Sequence, residues 1–156
     1  MKILLAVVLI GQFWVFNSNA ATMAGYNQKF GFGVILGEPT GLTGKYFSNP
    51  ESAVDMGLAY SFSDYLLMYA DKLWHFPETF NQKKDDFVNR LSPYMGVGAG
   101  VFLGKSSLFD VRVPFGLSWL PIKPTIEIFL ELVPALRLAP STALDFGGGI
   151  GVRIFL

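Results

Sequence analysis

From residue 30 onward the chain beats with a period of two, and one of its two rows consists of glycine, alanine and isolated charges. Side chains that alternate in this way stand on opposite faces of β-strands. Phe30, Phe32, Val34 and Leu36 alternate with Lys29, Gly31, Gly33 and Ile35, and Val54, Met56, Leu58, Tyr60 and Phe62 alternate with Ala53, Asp55, Gly57, Ala59 and Ser61. The same beat runs through 94–101, 109–119, 125–132 and 144–156, where Ile150, Val152, Ile154 and Leu156 hold one face. Less regular segments near 42–48 and 65–76 bring the expected number of strands to eight.

Turn-forming clusters separate these segments. They include Gly37-Glu38-Pro39-Thr40-Gly41, Asn49-Pro50-Glu51-Ser52, Gly104-Lys105-Ser106-Ser107 and Ala139-Pro140-Ser141-Thr142. Only the 77–90 connection is long, and it reads as a polar loop on the same side as both termini. Pro114 and Pro134 fall inside strand patterns and predict bulges, because proline gives no hydrogen to the ladder. Eight antiparallel strands without intervening helices predict an all-β chain closed into an up-and-down barrel.

Which row points inward decides the class of barrel. A carrier in water lines its lumen with the bulky apolar row; a barrel in a membrane turns that row outward. Glycine on a water-facing strand weakens the sheet for no gain, whereas inside a narrow barrel it makes room for long side chains to meet across the axis. The small and charged row is therefore expected inside, as a network of Lys45, Asp55, Asp71, His75, Asp110, Arg112, Glu127, Glu131, Asp145 and Arg153. Lys72 falls in the outward row with Met68, Ala70 and Trp74 and is expected near a strand end, its ammonium reaching toward headgroups.

Composition agrees with that facing: 51% of the residues are hydrophobic and only 15% charged, against about 25% charged in ordinary globular domains. Twelve basic and twelve acidic residues balance to a formal net charge of +0, which leaves no electrostatic footprint for nucleic acid. The absence of cysteine removes disulfides and thiolate chemistry. At the start of the chain, Met1-Lys2, the apolar run from Ile3 to Phe16 and Asn17-Ser18-Asn19-Ala20 have the three-part pattern of a secretory signal peptide. The expected organisation is a signal peptide over 1–20 and a barrel over 21–156.

The stretches GEPTGLTGKYF (37–47), ADKLWH (70–75), VRVPFGLSWL (111–120), IFLELVP (128–134) and the ending GIGVRIFL resemble a family of small bacterial outer-membrane barrels of OmpA/OmpX-like architecture. The ending also resembles the signal read by the barrel-insertion machinery, with Gly151, Ile154 and Leu156 at its glycine and hydrophobic positions; Gly149 stands where that signal has a polar residue. The resemblance implies an exported monomer whose partners are outer-membrane lipid and that machinery, with Gly37, Glu38, Pro39, Thr40 and Gly41 at an exposed loop tip. It implies no catalytic residue and no cofactor.

Three other functions set useful contrasts. A narrow channel would need the lumen charges to be hydrated, where a salt-bridged plug would have them paired. A soluble carrier of an apolar ligand would need Phe32, Leu58, Val113 and Leu130 inside. A lipid hydrolase would need a serine and an acid beside His75, the chain's one histidine; Asp71 on the same strand lies about 13 Å away, which leaves Ser92 or Ser118 with an acid from another strand. No metal-ligating cluster is present in the sequence pattern.

Overall fold

The computed structural model describes residues 29–62, 64–80, 85–104, 107–120, 126–139 and 141–156. The expected signal peptide over 1–20 lies outside the described residues, as does part of the long connection, 81–84.

The chain is all-β, a closed antiparallel barrel of eight staves. Its strands are β1 (Phe30–Glu38), β2 (Thr40–Asn49), β3 (Ser52–Ser61), β4 (Tyr65–His75), β5 (Leu91–Leu103), β6 (Leu108–Arg112), β7 (Phe115–Trp119), β8 (Ile126–Ala139) and β9 (Ala143–Phe155). Consecutive strands pair from β1 to β5 and from β8 to β9, β6 and β7 each pair with both β5 and β8, and β1 pairs with β9 to close the ring. Among the described residues closure leaves no edge strand to pair with another chain. At the seam the Leu156 amide donates to the Phe30 carbonyl (2.9 Å), so β1 begins beside the end of β9.

β6 and β7 are two halves of one stave, both lying between β5 and β8. Pro114, fully buried, marks the break between them. The expected bulge at Pro134 does not occur: Val133, Pro134 and Ala135 keep an unbroken register with Gly147, Phe146 and Asp145. The reason is where its missing donor falls. Pro134 faces the gap between β6 and β7, and its carbonyl there accepts a bond from the Val113 amide (3.0 Å). One interruption thus accommodates both prolines. Register shifts occur instead at Phe47/Asn49 and Phe109/Asp110.

The tip at 37–41 is tighter than a five-residue loop, because β1 runs through Glu38 and β2 resumes at Thr40. Thr40 Oγ1 donates to the Gly37 carbonyl (2.8 Å) and accepts from the Gly37 amide (3.1 Å). Glu38 reaches sideways to the next turn, accepting bonds from Ser61 Oγ and the Phe62 amide. The long connection between β4 and β5 carries single 3₁₀ turns at Pro77–Phe80 and Val88–Arg90. It sits at the end of the barrel that holds the chain end.

Candidate functional site: the charged lumen

The apolar row points out and the small, charged row points in. Phe32, Leu58, Leu130, Leu132 and Ile150 are exposed, while Lys45, Asp55, Asp71, His75, Asp110, Arg112, Glu127, Glu131 and Arg153 are all buried. Lys72 takes the outward face, half-buried, three residues from the end of β4 and two from Trp74.

The inward row fits because large and small residues alternate around the barrel. Along one lateral row, Arg153 pairs across the sheet with Gly33, Gly33 with Thr43, Thr43 with Gly57, Gly57 with Tyr69, Tyr69 with Gly100 and Gly100 with Asp110. A Cβ on Gly57 would meet the Tyr69 ring, one on Gly100 would meet Asp110 and one on Gly151 would meet the Phe129 ring. Long side chains therefore lie flat over their glycine neighbours, which is how a narrow eight-stranded interior is filled.

At the centre stands Arg153, with Nη2 2.5 Å from Asp55 Oδ2 and Nη1 3.0 Å from Glu127 Oε2. The same guanidinium donates to Thr43 Oγ1 from Nε (3.1 Å) and from Nη2 (2.7 Å), and its Cζ lies 3.8 Å from the centre of the Phe129 ring. Glu127 also accepts from Lys45 Nζ and from Ser118 Oγ, each at 2.6 Å. Two cations thus share two carboxylates with every charge hydrogen-bonded, the condition under which buried ions are tolerated.

A second cluster lies beside the first. Arg112 Nε contacts both oxygens of Asp71 (3.1 and 3.2 Å), and its guanidinium packs over Tyr69 at 4.2 Å. Tyr94 donates to Glu131 Oε2 (2.8 Å). Toward the chain end, Phe47, Ala53, Leu73, Tyr94 and Phe155 form an apolar plug, with Lys45 Nζ 4.8 Å from the Tyr94 ring centre.

His75 sits against that plug, its ring 5.1 Å from Phe47 and 5.0 Å from Tyr94. Its Nδ1 lies 3.5 Å from Ser92 Oγ, and its Nε2 has no hydrogen-bond partner. Ser118 is committed to Glu127. No acid joins Ser92 and His75 among the described contacts, and both residues are buried.

Asp145 differs from the rest. Its side chain is 43% exposed and pairs with Arg137 Nη2 at 2.6 Å, at the end of the barrel opposite the plug. Arg137 lies outside the expected network, whose alternation ends at residue 132, whereas β8 continues to Ala139 and keeps the same parity. Thr43, Tyr69, Tyr94, Phe129, Ser92 and Ser118 also join the interior. Thr43, Tyr69, Phe129 and Ser118 share parity with a charged inward residue of their own strand or stave, and Ser92 and Tyr94 share parity with Gly96, Gly98 and Gly100 of β5, which is the signal that identifies them.

Above the second cluster the lumen opens into a cavity of about 320 Å³, bounded by Glu38, Asp110, Glu131 and Arg137 among polar residues and by Tyr65 and Phe102 among aromatic ones. Of the expected insertion-signal residues, Gly151 is buried beneath Phe129, and Ile154 and Leu156 are exposed on the outward face. Among the described residues no group of three or more histidine, cysteine or acidic side chains is placed to hold a metal ion. The chain matches no protein-family model, no curated protein and no solved structure.

Proposed function

We propose that the protein is a monomeric barrel spanning the bacterial outer membrane, placed in outer-membrane lipid by the barrel-insertion machinery, with a structural or surface-interaction role and a lumen closed by its charged network. The observation that carries this reading is the outward row, on which Leu132 is 65% exposed, Leu130 55% and Ile150 54%. Exposed apolar residues cover the wall rather than a single patch. In water such a continuous surface is an aggregation liability; against hydrocarbon chains it is the expected solvent-matched face.

The buried ion pairs support a plug over a channel, because Arg153, Asp55, Glu127 and Lys45 are paired with one another and not held apart by a hydrated path. The apolar plug seals the same lumen nearer the chain end. The seven unbroken strands, of 9 to 14 residues, match the length needed to cross a bilayer at a tilt, about 9–11 residues, and the eighth stave is made of two strands of 5 residues each.

Gel mobility of the chain refolded with and without detergent or lipid vesicles, compared unheated and boiled, tests the reading. A heat-dependent shift that requires detergent or lipid is expected. A monomer that folds and stays soluble in plain buffer would overturn the membrane assignment.

A further inference from the structure

The cavity at the mouth opposite the chain end has walls fixed by strands and a floor fixed by the paired Arg112–Asp71 layer. Its volume, about 320 Å³, is at the lower end of the range for small-molecule sites, about 300–1,000 Å³. Among the described residues four carboxylates line it, from Glu38, Asp110, Glu131 and Asp145, against two guanidiniums, from Arg112 and Arg137. Negative charge is therefore in excess there, although the chain as a whole is neutral.

Most of those groups are already engaged. Arg112 is bound to Asp71, Arg137 to Asp145, Glu131 to Tyr94, and Glu38 to Ser61 and Phe62. Asp110 is the exception: only 4% exposed, it has no ion pair among the described residues, and its Oδ1 has no hydrogen-bond partner. Its lateral neighbour Gly100 donates a backbone hydrogen bond to the carboxylate, and the guanidiniums of Arg112 and Arg137, each paired with another acid, attract it without closing an ion pair. A buried carboxylate without a direct ion pair is costly, and this one, which has none among the described residues, borders a cavity that also presents Tyr65, Phe102 and Leu108.

We propose that this vestibule is a binding site for a small primary amine in its ammonium form, with a short apolar stem. The ammonium would occupy the counter-ion position at Asp110, and the stem would lie against the aromatic wall, where a cation is further favoured by ring faces. The site is enclosed by barrel wall on its sides, which suits a diffusible molecule. The inference concerns the mouth of the barrel and holds whichever medium surrounds the wall.

The test is a titration of the refolded, heat-shift-competent full-length barrel with n-butylammonium, n-butanol and butyrate, followed through the backbone amide resonances of Gly100, Asp110 and Gly147. Butyrate is included because Arg137 Nε also lacks a partner. Saturable shifts are expected with butylammonium alone, and Asp110→Asn, with its gel shift retained, should weaken binding about tenfold or more, the range for loss of a hydrogen bond to a charged group. Equal binding of butanol, preferential binding of butyrate, or no saturable shift in the unmodified protein would each overturn the proposal. So would unchanged affinity in a folded Asp110→Asn variant. Should that variant fail to fold, the contrast between butylammonium and butanol on the unmodified protein decides alone.

Discussion

Arg153 on β9 and Asp55 on β3 meet at 2.5 Å although 98 residues separate them in the chain. The contact spans the lumen instead of a strand pair, since β1 and β2 lie between β9 and β3 in the sheet. It ties opposite walls of the barrel together.

Replacing Arg153 with Leu removes a cation that satisfies Asp55, Glu127 and Thr43 together. Glu127→Leu likewise strands Lys45, Ser118 and one side of Arg153. Each variant is expected to lose about 3–5 kcal/mol of unfolding free energy, the cost of breaking a buried pair from one side. Urea titration in detergent measures this; unchanged midpoints in both variants would contradict a buried, mutually dependent network.

The interior glycines predict a position-dependent penalty. At Gly98 a Cβ would press on Asp71 Oδ1 and on the backbone of Ala70, whereas at Gly44, on the outward row, its nearest neighbours lie at an ordinary 3.7 Å. Gly98→Ala should destabilise by about 1–3 kcal/mol through overpacking, and Gly44→Ala should be neutral within about 0.5 kcal/mol. Equal effects at the two positions would show that the inward row is loosely filled.

An arginine on the outward face distinguishes lipid from water as the surrounding medium. Leu130→Arg should cost about 2–4 kcal/mol in a bilayer if the site lies near the midplane, and Lys72→Leu should be neutral or stabilising by the same logic. The comparison is made by folding titrations into lipid vesicles. No penalty for Leu130→Arg would remove the main support for a membrane-facing wall.

Glu38 joins neighbouring turns through Ser61 and Phe62. Glu38→Gln keeps the shape and removes the charge, so global stability should fall by no more than about 1 kcal/mol, in keeping with an exposed hydrogen bond. Amide exchange at Phe62 should nevertheless quicken several-fold as the β3–β4 turn loosens. Exchange that stays as slow as before would mean that the carboxylate does not hold the turn.

The strands were legible from parity alone, because a period of two assigns every residue of a strand to one of two faces. That is why Gly57, Asp55 and Ala59 on one strand, and Gly151 and Arg153 on another, were assigned to a common inward row from the sequence. Parity has no memory across a turn and carries no length. It stopped short of Arg137, and local propensity placed a bulge at Pro134 where the paired stave supplies a gap.

By itself, then, the sequence determined the all-β class, the eight staves and the separation of an apolar face from a small and charged one. These follow from local periodicity and from the steric meaning of glycine. The tertiary structure alone decided who pairs with whom: that Arg153 takes Asp55 and Glu127, that Arg112 takes Asp71, that Arg137 takes Asp145, and that Asp110 has no ion pair among the described residues and borders a cavity. Those choices depend on strand register and on distances across a closed ring, which are set when all the staves close together and are written in no single one of them.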